Sequence, residues 1–396
     1  MIFNIGDLLK SNKPNLRIEL LNCSFANSQK AGLKMKVNEV DKNFDTTFEC
    51  PSDIKWHSVL NKPFSIHGVI YSKEEGLFRR LPKEFAAAIN ENVAFLAKNT
   101  AGGRIGFKTN SSYIALQVEE PFDEPFSHMT IFGKNGVSIF VNKEYIGCIA
   151  PSYSQLTKAD PNLNGNGKII FDGIVRPNKE NEYEVELYLP LYSALNNIYV
   201  GLKDGSSLLE ISPYKHEKPI VFYGSSITQG ACSSKPGDDY ISKLSRMLDF
   251  DFINYGLSGN AKAEKEVAEY LSKIDASVFI LDYDHNAPDV DYLRKTHYPL
   301  YKTIRDANPT TPIIMMTMPA FEAWKDRPVN KARREVILET IEKAKKDGDN
   351  NIYLIDCYGC FGDNNECGTI DNGHPNSLGF QKMAEKLYPL LNKLLN

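Results

Sequence analysis

Two hydrophobic rhythms divide the chain near Lys215-His216-Glu217-Lys218-Pro219. Downstream, short apolar runs at 220–223, 251–254, 277–281, 312–317 and 351–355 alternate with stretches of helical spacing around 240–248, 264–272, 290–307, 330–346 and 377–395. Unbroken apolar runs mark strands covered on both faces, and their alternation with helices predicts a parallel sheet wound with helices. Upstream the period is two. Ile114, Leu116 and Val118 fall on one strand face, residues 137–147 read as strand, turn, strand, and Gly165-Asn166-Gly167 is a turn leading into a strand at 168–171. This pattern predicts an antiparallel β-sandwich with one helix near residues 83–90. The expected organisation is α/β overall: a jelly-roll-like sandwich over residues 1–215, then a three-layer α/β/α domain with a parallel sheet over residues 216–396. No internal repeat or low-complexity segment interrupts either half.

Candidate chemistry sits where the first parallel strand ends. The run Ile220-Val221-Phe222-Tyr223 stops at Gly224-Ser225-Ser226, at the carboxyl edge where open α/β sheets present side chains to ligands. A serine hydroxyl is a weak nucleophile at neutral pH, and it needs an imidazole to take its proton and a carboxylate to orient the ring. Asp371 and His374, three residues apart, let one turn of chain carry both groups. The candidate groups follow the first, second and third strands and the loop before the last helix, so they gather at one carboxyl edge of the sheet.

These residues resemble the blocks of the GDSL or SGNH hydrolases. Gly224-Ser225-Ser226 is similar to their first block, Asn254-Tyr255-Gly256-Leu257-Ser258-Gly259 to the second, Asp284-His285-Asn286 to the third, and Asp371-Asn372-Gly373-His374 to the fourth. The resemblance implies Ser226 as nucleophile, His374 as base and Asp371 as its orienting acid. It implies an oxyanion hole made by the backbone N–H groups of Ser226 and Gly259 and the side-chain amide of Asn286. Each such donor is worth about 3–4 kcal/mol when aimed at a developing oxyanion. Two departures stand out: Ser225 replaces the usual Asp, and Asp284 and Ala287 replace the usual Gly and Asp around Asn286. Phe78-Arg79-Arg80-Leu81-Pro82, Ala101-Gly102-Gly103-Arg104 and Val185-Glu186-Leu187-Tyr188 resemble the N-terminal β-domain of one subgroup, the last a loose form of its Gly-x-Asp-Leu-Tyr signature. Three-layer flavodoxin-like SGNH architecture is the fold this implies for the second half.

Bulk properties narrow the classes. A net charge of −4 supplies no electrostatic footprint for nucleic acid or an anionic membrane surface. No stretch approaches membrane-spanning length, and the opening residues lack a basic segment followed by an apolar run, so a cytoplasmic protein is expected. Seven cysteines, an odd number, fit a reducing compartment. Cys357, Cys360, Cys367 and His374 have metal-like spacing, but no second Cys-x-x-Cys pair completes a site and a metal there would consume the base. They read as core or loop thiols, with no metal or organic cofactor expected.

Other candidates stay open at this point. His285 either contacts substrate or plugs the sheet edge, and Trp324 either stacks on a sugar or packs. The functional expectation is a serine esterase acting on short acyl esters, with acetylated oligosaccharides as the substrates the subgroup resemblance implies. The competing expectations are a lipid or phospholipid acyl hydrolase and a catalytically weak sugar-binding protein. Neither nucleic acid nor membrane is an expected partner, and self-association is left open.

Overall fold

The computed structural model describes residues 50–123, 126–179, 181–319, 326–361 and 368–396. Residues 1–49 of the expected sandwich, Trp324 and Cys367 lie outside the described residues. Five parallel strands form the sheet of the second half, in the spatial order Phe250–Gly256, His216–Gly224, Val278–Asp282, Ile313–Met316, Ile352–Ile355. The order reverses beside His216–Gly224, which pairs with Phe250–Gly256 on one side and Val278–Asp282 on the other. Such a reversal opens a crevice at the carboxyl ends of the strands.

The two-residue strand period explains the three layers. Val221, Tyr223, Phe279, Leu281, Ile313 and Met315 belong to one apolar cluster with residues of the helices Lys265–Leu271, Val290–Ala307 and Pro328–Lys346. Their alternate neighbours Ile220, Phe222, Phe252, Ile280, Ile314 and Met316 face the opposite layer, against Tyr240–Leu248 and Ser377–Leu395. Caps start the helices where the sequence places them. Asp239 accepts from the Ser242 amide, Asp289 from Tyr292, and Asn376 from Leu378 and Gly379. No helix among the described residues is long and apolar enough to cross a membrane.

Residues 54–209 hold a two-stranded antiparallel sheet, Ile70–Ser72 with Leu77–Arg79, and two large antiparallel ones. One has the order Ile54–Ser58, Asn197–Lys203, Ile114–Pro121, Lys168–Val175; the other runs Leu208–Leu209, Arg104–Thr109, Tyr183–Tyr188, Val137–Val141, Glu144–Ile149. Leu116, Val118, Ile198 and Val200 of the first meet Ile105, Phe107, Ile139, Val141, Val185 and Leu187 of the second in one buried core. The predicted helix is present as Lys83–Ile89. The short helix Tyr153–Ala159 went unpredicted, although Ser152 and Gln155 form the capping box that announces it.

Residues 50–396, which hold both the sandwich sheets and the parallel sheet, form one compact body. Arg104, fully buried, crosses from sandwich to parallel sheet: its guanidinium bonds the Asp251 carboxylate and the Phe252 carbonyl and lies 3.7 Å from the Phe252 ring centroid. Gly102, at φ +79°, lets this seam close, because a Cβ there would meet the Asn254 Cβ at 2.6 Å.

Glu120 is a titratable group inside the sandwich. Its Oε2 accepts from Asn135 (2.7 Å) and Ser193 (3.0 Å), while Oε1 is buried without a partner among the described residues. Burial, only partly offset by these bonds and by Lys134, pushes its carboxyl up to about 8 from the ordinary 4.5. The folded chain therefore keeps a proton that the unfolded chain releases, so stability falls as pH rises from 4.5 through about 8. Glu120→Gln is expected to remove this slope and to gain a few kcal/mol over wild type between pH 5 and pH 9, each tenfold change in proton affinity being worth about 1.4 kcal/mol. Guanidinium unfolding of both proteins across that range measures it; parallel pH curves would refute the assignment.

Candidate active site

The strand His216–Gly224 ends in a turn that only glycine permits. A Cβ on Gly224 would lie 2.1 Å from the Thr228 hydroxyl and 2.3 Å from the Asp282 carbonyl. The chain then enters a single helical turn, Ser226–Gln229, capped by the Ser225 hydroxyl, which accepts from the Ile227 amide at 3.1 Å. Ser226 is its first residue, so the Ser226 N–H is one of the donors a helix start leaves without an intrahelical partner. The Ser226 carbonyl accepts from the Tyr192 hydroxyl of the sandwich half at 3.3 Å.

Ser226, His374 and Asp371 come together. The Ser226 Oγ lies 2.9 Å from His374 Nε2, and His374 Nδ1 lies 2.7 Å from Asp371 Oδ2. With Nδ1–H donating to the carboxylate, Nε2 presents its lone pair to the serine hydroxyl. Asp371 Oδ1 also accepts from the amides of His374 (2.7 Å) and Gly373 (3.1 Å), so one carboxylate shapes the loop and aligns the ring. Burial opposes its ionisation, but the hydrogen bonds from His374 and Gly373 outweigh it and hold the Asp371 carboxyl below its usual range.

The segments proposed for the oxyanion hole are tied to one another. The Leu257 amide donates to the Gly224 carbonyl at 2.8 Å, and the Leu257 carbonyl accepts from Asn286 Nδ2 at 3.1 Å. This chain of bonds brings Asn286 to the loop that carries Gly259 and joins that loop to the strand leading into Ser226. Gly259 has φ +66° and open space where a Cβ would stand. Asn254 works within the turn: its amide donates to the Thr228 carbonyl at 2.8 Å and its oxygen accepts from Gly256 at 2.8 Å.

Arg80 was not singled out from sequence. Buried at 3% exposure, its guanidinium donates to the carbonyls of Leu96, Asn99, Asn254 and Gly256, the last two at the end of the strand Phe250–Gly256 that leads into the Gly259 loop. Burial pulls its pKa down to about 10, with Tyr192 and Tyr255 acting the other way. A Phe-Arg-Arg-Leu motif in the sandwich half thus braces a strand end of the hydrolase half.

The two departures at 225 and 284 are coupled. His285 Nε2 lies 2.6 Å from Ser225 Oγ, and its Nδ1 lies 2.9 Å from Asp284 Oδ1. Asp284 Oδ2 accepts from the Met318 amide at 3.1 Å. Burial disfavours charge on His285, but Asp284 and Asp282 outweigh it and raise the ring above its ordinary value. The carboxylate missing at 225 is therefore supplied from 284 through an imidazole. Both His285 nitrogens are engaged, which places the ring as a brace beneath Ser225. Asp284 is turned toward this brace, its Oδ1 bonded to His285 Nδ1.

Residues 217–392 match the GDSL-like Lipase/Acylhydrolase family, and residues 54–208 match the N-terminus of esterases of SGNH-hydrolase type. Among solved structures, a protein from Bacteroides ovatus ATCC 8483 described as a GDSL-like lipase is 30% identical at a TM-score of 0.75, over 86% of this chain and 98% of its own. The chain belongs to the SGNH/GDSL hydrolases. This SGNH hydrolase is accordingly an ester hydrolase, with both halves accounted for by the family. Two further structures share the fold. The salicylyl-acyltransferase SsfX3 of a tetracycline biosynthetic pathway is 19% identical (TM-score 0.69; 87% of this chain, 98% of that one). An acetyl xylan esterase from the rumen bacterium Butyrivibrio proteoclasticus is 14% identical (TM-score 0.55; 87% and 99%). No curated protein matches the chain.

The structure also adds groups to the SGNH hydrolase site that the sequence pattern does not reveal. The His128 ring lies 5.6 Å from that of His374, and Phe126, exposed, packs edge-on against both His128 and Tyr192. Their spacing in sequence carries no signal, because His128 reaches His374, and Phe126 reaches His128, from a loop of the other half. Cys357 is buried in the core beside the terminal helix and Cys360 packs partly against that core, in keeping with their reading as core and loop thiols.

Proposed function

We propose that the protein is a serine esterase that removes short acyl groups, acetyl foremost, from the hydroxyls of oligosaccharides. The observation that carries the reading is the unbroken path from Ser226 Oγ through His374 to Asp371. Ser226 attacks the ester carbonyl carbon while its proton passes to His374 Nε2, and Asp371 steadies the imidazolium. The N–H groups of Ser226 and Gly259 and the second N–H of the Asn286 amide receive the oxyanion. His374 then returns the proton to the departing sugar oxygen, and the acyl group remains on Ser226. Water, deprotonated by the same imidazole, releases it as the carboxylic acid. No step requires a cofactor.

The carbohydrate preference draws support from the shared architecture with the acetyl xylan esterase and from the exposed Phe126, which packs on His128, the ring next to His374. The substrate experiment compares p-nitrophenyl acetate with the octanoate and follows acetylated oligosaccharides by mass spectrometry. The expected result is kcat/KM at least about tenfold higher for acetate, a difference of about 1.4 kcal/mol, together with loss of acetyl groups from the sugars. Preference for octanoate would favour lipid acyl hydrolysis, and sugar binding without turnover would favour the binding protein.

Asn286→Ala is expected to lower kcat by about 10²–10³-fold with little change in KM, as for loss of one oxyanion donor. Steady-state kinetics with the acetate ester measures it. A change confined to KM would remove Asn286 from the oxyanion hole.

A further inference from the structure

His128, Cys232 and His374 bring one ligand atom each to within 4.8 Å of the others. The three come from separate places: a loop of the sandwich half, the segment following the Ser226 turn, and the triad loop. Cys232 is among the described cysteines that form no disulfide, and its thiol donates to the His128 carbonyl at 3.4 Å. Two imidazoles and a thiol suit a borderline-soft divalent cation, for which metal–nitrogen distances are about 2.0–2.1 Å and metal–sulfur about 2.3 Å. The ligand atoms need only small side-chain movements to converge on one ion. His374 already carries the outer partner such a ligand needs, since its Nδ1–H is held by Asp371. This leaves Nε2, the atom that faces Ser226, for the metal.

We infer that His128, Cys232 and His374 form an inhibitory binding site for zinc or a similar transition-metal ion, which silences the esterase by taking the lone pair of its base. Binding exchanges the Ser226–His374 hydrogen bond for a metal–nitrogen bond, and the Cys232 thiol releases its proton to solvent as the metal–sulfur bond forms. Water completes the coordination. Because His128 belongs to one half of the fold and His374 to the other, the same ion clamps the sandwich to the hydrolase domain. The inhibitory part rests on the catalytic role proposed for His374; the binding part does not.

The full-length, chelator-treated protein is titrated with Co²⁺, whose bond to a thiolate produces a charge-transfer absorption, and with Zn²⁺ in competition. The expected result is one ion per chain, a thiolate band abolished in Cys232→Ser, and a rise in Tm on binding. Zn²⁺ is expected to inhibit hydrolysis of p-nitrophenyl acetate reversibly, with recovery on adding EDTA. Cys232→Ser should keep the uninhibited rate and need more than about 100-fold more zinc for the same inhibition, beyond the cost of losing an outer-shell partner. His128→Asn should shift the affinity in the same direction if the serine variant folds poorly. Absence of the thiolate band, or equal zinc sensitivity in wild type and both variants, would overturn the proposal. Ser226→Ala separates the two readings: it should bind Co²⁺ with the same band, so a normal band in a wild-type protein without esterase activity would support the metal site and sink the hydrolase mechanism.

Discussion

Ser226→Ala is expected to reduce kcat for p-nitrophenyl acetate by at least about 10⁴-fold, with unfolding stability unchanged within about 0.5 kcal/mol. The substitution deletes one oxygen whose only described side-chain partner is His374 Nε2, at 2.9 Å. The helical turn keeps its cap, because Ser225 rather than Ser226 accepts from the Ile227 amide, and the bond from Tyr192 ends on the Ser226 backbone carbonyl. Residual turnover would come from the oxyanion donors alone. Retention of more than a hundredth of the wild-type rate, measured on protein shown to be folded, would mean that another group attacks the ester. Ser225 is the neighbouring hydroxyl, but it is fully buried and bonded to His285, so it offers no substitute.

Arg80→Met should cost about 3 kcal/mol of stability and also lower kcat. Four buried carbonyls accept from this guanidinium, two of them at Asn254 and Gly256, the end of the strand that leads into the Gly259 loop. Losing a hydrogen bond to a charged group costs about 1.5–3 kcal/mol, and each buried acceptor left unpaired adds more. The opposing term is relief from holding a buried cation with no carboxylate bonded to it among the described residues, which the lowered pKa of about 10 reflects. The bonds outnumber the charge, so the net effect is a loss. Denaturant unfolding reports the stability, and a fall in kcat with little change in KM reports displacement of the loop that carries Gly259. Arg80→Lys should recover only part of both, since an ammonium cannot span four carbonyls in one plane. Normal kcat in a destabilised Met variant would restrict Arg80 to a structural role.

The parallel-sheet half was legible because its signals are local. Fully buried strands such as Phe279-Ile280-Leu281 cannot be read as amphipathic helices, and the helix Val290–Ala307 has the bounds its apolar spacing suggested. The grouping of Ser226, His374 and Asp371 was legible for a different reason. Ser226 follows a strand end, and Asp371 and His374 are three residues apart, so each piece carries its own short-range pattern. Phe126, His128 and Tyr192 carry none, and the short motif around Arg80 says nothing of what its guanidinium bonds. They belong to the sandwich half and acquire meaning only from what faces them. His285 was open between two readings because a lone imidazole has no pattern; its bonds to Ser225 and Asp284 place it as a brace.

The amino-acid sequence by itself determined which strands are buried, where the helices begin, and which serine, histidine and aspartate are available for acyl chemistry. These depend on hydrophobic period, capping residues and glycine turns within a few positions of chain. Only the tertiary structure decided how Ser225, His285 and Asp284 compensate for one another, why a buried arginine of the sandwich supports the strand end that leads to Gly259, and that His128 and Cys232 stand beside His374. Those are contacts across more than a hundred residues in several cases, and they arise when packing two cores together brings unrelated loops to the same sheet edge.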